Sequence, residues 1–174
     1  MEFGVSSLDA SILASNNFMQ QISNTGNQLQ AGVFENSLVE CRRNIITADR
    51  AGIDLNFQAT GSLIRIDDEN EITLTPTTIN MNRSAIRILG AGENAIARGE
   101  SLIRSNTITV NSIGTGIELI NLGVIDIHYN NIAFQSPLTA DNAVNRGISL
   151  ENADENYLYG NTVGLGTGSA DFTD

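Results

Sequence analysis

Lysine is absent from this sequence. All nine basic residues are Arg, against 20 acidic ones, and the formal net charge is −11. A surface this acidic repels a phosphate backbone, which argues against nucleic-acid binding. Cysteine occurs once, as Cys41, which excludes an internal disulfide and a thiolate metal site. Histidine also occurs once, as His128, and there are two prolines, Pro76 and Pro137. No apolar run approaches the ~18 residues of a membrane-spanning helix, so no membrane insertion is expected. The opening Met1-Glu2-Phe3-Gly4 has no basic segment leading into an apolar core and reads as no signal peptide. No phosphate loop, His-Glu-x-x-His zinc motif or nucleophile elbow is found. What remains is a chain of 174 residues, 41% hydrophobic and 17% charged, which suits one folded domain and not a disordered segment.

Internal repetition is the strongest signal. The stretch from Gly116-Ile117-Glu118-Leu119-Ile120-Asn121 to Asn130-Asn131-Ile132-Ala133-Phe134 aligns without a gap, at an offset of 31, with Gly147-Ile148-Ser149-Leu150-Glu151-Asn152 to Asn161-Thr162-Val163-Gly164-Leu165. The second half of this unit, apolar-x-x-Asn-x-apolar, recurs around Asn16, Asn44, Asn106, Asn130 and Asn161, with a looser copy at Asn70 carrying one extra residue. These anchors are spaced 28, 26, 36, 24 and 31 residues apart. The first half recurs as Gly4-Val5, Gly32-Val33, Gly52-Ile53, Ala85-Ile86, Gly116-Ile117 and Gly147-Ile148.

Within each unit, apolar residues alternate with a period of two, as in Ile53/Leu55, Ile86/Ile88, Ile108/Val110 and Ile132/Phe134. Short alternating segments rich in Ile, Val and Thr read as strands. Strands this short cannot bury a face alone and must stack on the matching strand of the next unit, which makes a solenoid of about six coils with three short strands each. The anchoring Asn suits a left-handed corner, and its amide can bond its copies above and below in a ladder. The Gly of each Gly-Ile pair is expected to supply a positive φ. Cys41 takes the inward position of Ile103 and Ile127 and reads as a buried hydrophobe. Insertions are expected at the corners, at 24–30, 90–99 and 136–143. A β-sandwich would show hairpin-length periods instead, and an amphipathic helix over 8–22 is opposed by Asn16-Asn17.

The Gly-Ile-x-Leu-x-Asn and Asn-x-Ile units resemble the right-handed parallel β-helix family, the pectin-lyase-like superfamily with its NosD-type, carbohydrate-binding and sugar-hydrolase repeats. The resemblance covers about residues 4–165 and implies an all-β fold and one β-helix domain over 1–174; the repeats begin abruptly at Gly4 and stop without an amphipathic cap after Leu165, which reads as a segment of a longer protein. Members include polysaccharide lyases, glycoside hydrolases, uronate epimerases, tailspikes, adhesins and non-catalytic proteins. Their catalytic signatures are missing: no Gly-His-Gly or Arg-x-Lys of polygalacturonases, no Asp-Pro-His-Glu of epimerases, and no motif that selects Arg42, Arg43 or Arg104 as a lyase base.

If the anchors stack, outward residues fall into columns. Two residues before each anchor stand Ala14, Arg42, Asp68, Arg104, His128 and Tyr159; four before stand Ile12, Glu40, Ile66, Leu102, Asp126 and Tyr157. Strand alternation puts both columns on one face. That face gathers Arg42, Arg104, Asp126, His128, Tyr157 and Tyr159, with rings to stack on sugars and polar groups to hold hydroxyls or carboxylates. The bland reading is a solvated sheet with cross-strand Arg–Asp and Tyr–His packing. Asp67-Asp68-Glu69 with Glu71 is the only acidic cluster; it offers oxygen ligands for Ca2+ near Asp67 and Asp68, or a carboxylate pair for glycosidic acid/base work, and reads more simply as a solvated turn. Thr47, Thr73 and Thr109 make a broken Thr column of ordinary exposed strand residues. The expected function is an extracellular β-helix segment, secreted or at the cell surface, that binds polysaccharide or a cell-surface glycan, or serves as a structural or adhesive rod. The alternative is a polysaccharide lyase or glycoside hydrolase. No cofactor is expected, and the ends call for flanking coils or like chains.

Overall fold

The computed structural model describes residues 5–8, 11–15, 18–20, 29–35, 38–49, 51–57, 62–75, 83–90, 95–97, 99–111, 113–135, 144–153 and 155–165, with side chains between Leu38 and Gly164. The first tier is β1 (Val5–Leu8), β2 (Ser11–Ser15) and β3 (Phe18–Gln20); the second is β4 (Leu29–Glu35), β5 (Leu38–Arg42) and β6 (Ile45–Ala48). The third is β7 (Ala51–Asn56), β8 (Leu63–Asp67) and β9 (Glu71–Leu74); the fourth is β10 (Ser84–Leu89), β11 (Ala95–Ile96), β12 (Leu102–Arg104) and β13 (Thr107–Val110). The fifth is β14 (Thr115–Ile120), β15 (Leu122–Gly123), β16 (Asp126–His128) and β17 (Asn131–Phe134); the sixth is β18 (Arg146–Glu151), β19 (Tyr157–Tyr159) and β20 (Thr162–Leu165).

Each strand pairs in parallel with its counterpart one tier on. The result is three six-stranded sheets, ordered β1-β4-β7-β10-β14-β18, β2-β5-β8-β12-β16-β19 and β3-β6-β9-β13-β17-β20. This is a parallel β-helix, the all-β solenoid that the repeats require. The insertion expected at 90–99 holds one feature the repeats do not show: β11 and β15 pair as a fourth, two-stranded sheet. The loop expected at 24–30 ends earlier, because β4 already begins at Leu29. The insertion at 136–143 lies outside the described residues.

Burial follows from register. Identical or similar aliphatics meet tier over tier: Ile53–Ile86–Ile117 and Leu55–Ile88–Leu119 in the first sheet, Ile66–Ile103–Ile127 in the second, Ile72–Ile108–Ile132 and Leu74–Val110–Phe134 in the third. All of them are buried in one core. β-branched side chains dominate because they fill a pleated surface with few rotamers to lose. Cys41 sits on the Ile66 row and is buried; burial foremost, then the charges of Asp67 and Glu40, push its thiol up to about 12.

Stacked amides run beside the second sheet. The Asn44 Nδ2 donates to Asn70 Oδ1 (2.8 Å), Asn70 to Asn106 (2.8 Å), Asn106 to Asn130 (2.9 Å) and Asn130 to Asn161 (2.9 Å). The same Oδ1 atoms accept backbone N–H groups of Asn44, Asn106 and Asn130, each at 3.1 Å. The second Nδ2 hydrogens reach main-chain carbonyls, including Cys41, Ile66, Ile103 and Ile127. The ladder thus satisfies the corner's buried backbone groups, which would otherwise cost about 1–3 kcal/mol apiece. Asn16 lies outside the described residues. The strands on either side of it pair at an offset of 27 (Ser15 with Arg42, Phe18 with Ile45), not the 28 that aligns Asn16 with Asn44.

Two expectations about corners need correction. The left-handed residue of the ladder corner is the one before the Asn: Arg43, Ser105, Tyr129 and Gly160, with both Asp68 and Glu69 in the third tier. The amide needs a fixed direction along the stack, so the turn is made by its neighbour. Asn does take positive φ at another corner, as Asn121 and Asn152 after the first sheet. The Gly of the Gly-Ile pairs has no positive φ among the described residues. It is there for lack of volume: a Cβ on Gly116 would lie 2.6 Å from the Gly147 carbonyl oxygen and 2.7 Å from Ile132 Cγ2. In the second tier the expected Gly32-Val33 match to Gly52-Ile53 also fails, because Leu29 pairs with Ile53. Gly4 lies outside the described residues.

Candidate functional site: the outer face of the second sheet

The outward positions of β5, β8, β12, β16 and β19 form two columns. One runs Glu40, Arg65, Leu102, Asp126, Tyr157; the other runs Arg42, Asp67, Arg104, His128, Tyr159. The expected columns hold except in the third tier, where Arg65 and Asp67 replace Ile66 and Asp68, and in the first, where Leu13 and Ser15 replace Ile12 and Ala14. The cause in the third tier is the two-residue corner, Asp68-Glu69, where the other described corners of this kind use one residue. Counting back from Asn70 therefore overshoots by one, and a slip of one residue in a strand exchanges its faces.

The six predicted site residues lie on this face but not in one group. Arg42 belongs to a charged half. Its Nη2 bonds Glu40 Oε1 at 2.6 Å and its Nε lies 3.3 Å from Asp67 Oδ1, while Arg104 Nη2 donates to Asp67 Oδ2 at 3.4 Å. Arg65 lies 3.7 Å from Glu40 and 3.3 Å from Glu100. Asp67 is thus buried between two guanidiniums, a ladder of alternating sign up the stack. Asp68, on the corner itself, pairs with Arg43 of the corner one tier below at 3.3 Å. The two adjacent carboxylates proposed for Ca2+ therefore diverge into separate ion pairs. Among the described residues no three His, Cys, Asp or Glu side chains gather as a metal site.

The other half is aromatic. His128 stacks on Tyr129 with ring centroids 5.3 Å apart and meets the edge of Tyr159 at 4.6 Å; Tyr129 and Tyr159 meet edge to face at 5.6 Å. Edge-to-face and offset pairs place the positive rim of one ring on the negative face of the next. Sequence reading missed Tyr129, because it lies on the corner and not in a strand. The signal that finds it is Gly160, its equivalent one tier on: φ there is +64°, and a Cβ would lie 2.5 Å from Tyr129 Cε1. Only glycine lets that ring lie against the corner above it.

The aromatic half is open to solvent. Tyr157 is 66% exposed and Tyr129 61%, whereas His128, against Tyr129 and Tyr159, is buried. Both His128 ring nitrogens are buried without a hydrogen-bond partner. Burial pulls its imidazole below the ordinary 6.5, the Arg104 charge adds to the fall, and Asp126 opposes it. His128 is therefore a neutral ring that fills space under two tyrosines. It is not placed to donate or accept a proton at the surface. Arg104 stands at the boundary, half-exposed, with Asp67 on one side and His128 on the other.

The first sheet carries a second ladder of reversed sign. Arg87 lies 3.6 Å from both Asp54 and Glu118, and Glu118 also accepts from Ser84 Oγ at 2.6 Å. Burial pushes the Asp54 carboxyl up, against the pull of Arg87. The third sheet presents Thr47, Thr73 and Thr109 in register, followed by Ala133 and Gly164. Among the described residues, the second face alone combines exposed rings with a half-exposed guanidinium. A scan against protein-family models and searches of curated proteins and of solved structures gave no match.

Proposed function

We propose that this protein is an extracellular parallel β-helix of the pectin-lyase-like kind that binds polysaccharide on the second sheet, at its fourth to sixth tiers, without cleaving it. The observation that carries the reading is the pair Tyr129 and Tyr159 around the buried, neutral His128, with exposed Tyr157, Arg104 and Asp126 on the same face. Tyr129 of the fifth tier and Tyr157 and Tyr159 of the sixth are exposed on the same face and suit sugar rings lying across these two tiers, each ring burying apolar area on a phenol face. Arg104 and Asp126 supply directional bonds to hydroxyl or carboxylate groups. Acid/base work is poorly served: Asp67 is held between two guanidiniums, and the His128 nitrogens are buried. The site is carried by strands paired on the tier below, so binding is expected to require little ordering of the backbone.

The test is a screen of neutral and uronate-containing glycans by NMR titration of the tyrosine ring signals. Tyr157→Ala and Tyr159→Ala are expected to weaken binding roughly 3- to 10-fold each. Arg42→Ala, held in the charged half, leaves it unchanged. New reducing or unsaturated ends that vanish in Arg104→Ala would replace this reading with a lyase or hydrolase.

A further inference from the structure

The sixth tier repeats the core residues of the fifth, but nothing described lies on top of it. Leu150, Leu158 and Val163 continue the rows of Leu119, Ile127 and Ile132, yet all three are exposed. The edges of β18, β19 and β20 end their sheets. The amide ladder also stops with its donors open. In the tier below, the Asn130 backbone N–H and Nδ2 both donate to the Asn161 Oδ1, and the Tyr129 N–H donates to the Tyr159 carbonyl. The corresponding groups, the Asn161 and Gly160 N–H and one Asn161 Nδ2 hydrogen, have no such acceptor among the described residues.

This end specifies its occupant closely. It calls for three parallel strands at once, with aliphatic residues on the same rows. Among the described residues one other set of strands ends all three sheets: β1, β2 and β3. The register puts Ala14 on the row that runs through Cys41, Ile66, Ile103 and Ile127 to Leu158, and Met19 on the row that runs through Ile46, Ile72, Ile108 and Ile132 to Val163. The polarity also matches, since a first tier laid on a sixth repeats the step from fifth to sixth.

We propose that the sixth-tier end of one molecule binds the first-tier end of a second copy, continuing all three sheets and the core rows from chain to chain. Such a head-to-tail contact does not close on itself and grows into an open filament. Each copy carries −11, so the copies repel and added salt strengthens the association. This contact needs no glycan, although its β19 edge also carries Tyr157 and Tyr159 of the proposed glycan site.

Light scattering on the full chain over a range of concentration and salt tests it. The mass is expected to rise above 18.6 kDa with concentration, without a plateau at the dimer, and to rise further with salt. Leu158→Arg, at an exposed position, should raise the concentration for half-association at least tenfold while the far-UV circular dichroism stays that of the wild type. A mass fixed at the monomer value, or Leu158→Arg associating like the wild type, overturns the proposal. A second measurement identifies the partner end. Ala14→Cys and Leu158→Cys chains, mixed and oxidised, should form a disulfide-linked pair, as neighbouring parallel strands bring Cα atoms within bonding range. Cross-linking of Leu158→Cys with itself in place of the mixed pair contradicts head-to-tail stacking.

Discussion

The fifth and sixth tiers carry nearly the same residues at the same register, and they differ in what lies above them. Ile127 is 0% exposed and Leu158 45%; Ile132 is 0% and Val163 42%; Leu119 is 0% and Leu150 40%. Hydrophobicity and strand geometry are alike in each pair, so the difference belongs to the neighbouring tier alone. A strand of three or four residues provides one half of a burial site, and the next tier provides the other half. Stability in this fold is therefore a sum of contacts between adjacent tiers, largest in the middle and smallest at a free end.

Paired substitutions sharpen that contrast. The largest effect is expected for Ile127→Ala, which opens a cavity between two tiers and costs about 2–5 kcal/mol; Leu158→Ala costs about 1 kcal/mol or less. Urea unfolding of the two variants measures both, and equal losses would break the comparison. Next comes the amide ladder. Asn106→Ala removes one of the bonds made by the Asn70 Nδ2, one of the two accepted by the Asn130 Oδ1 and the bond to the Ile66 carbonyl, and should cost about 2–4 kcal/mol, against about 1 kcal/mol for Asn161→Ala. Smaller again is the glycine column. Gly116→Ala forces its methyl against a backbone oxygen and should cost about 1–3 kcal/mol, while at Gly147 the clash is with the side chain of Val163, at the exposed sixth tier, and should cost less.

The smallest effect concerns pH. The folded state holds His128 neutral below the pH at which the unfolded chain takes up its proton. As pH falls below about 6.5, the unfolded state binds the proton first, so stability drops until the folded imidazole also protonates. The groups around the ring are Arg104 and Tyr159 from the adjacent tiers and Asp126 and Tyr129 from its own. Thermal melting temperature between pH 7 and 5 should therefore fall less in His128→Gln than in the wild type. A wild-type curve parallel to the variant's would show that the buried ring does not titrate with folding.

The solenoid was legible because its physical cause is repetition. An Asn every 24–36 residues and a period of two between anchors report the corner and the strands directly. Five of the six expected anchors, from Asn44 to Asn161, join in one ladder, and Cys41 is the buried hydrophobe its position implies. Register was legible only where corners have equal length. The extra corner residue at Asp68-Glu69 shifted the expected columns by one and concealed that Asp67, not Asp68, bridges Arg42 and Arg104. The reasons for Asn and Gly were less legible than their positions, since a left-handed corner and a close approach leave the same residue types in a sequence. The candidate site was readable as a face and not as two halves. Ion pairing up the stack depends on which residue stands one tier away, and Tyr129 enters the aromatic group from a corner that strand alternation does not describe.

Native-state hydrogen exchange in dilute monomer tests most directly whether tiers stabilise one another. The backbone amides of Asn106 and Asn130, each bonded to the carboxamide of the tier above, should exchange only with global unfolding, and that of Asn161 orders of magnitude faster. Equal protection at all three positions would contradict the stacking as the source of the fold's stability.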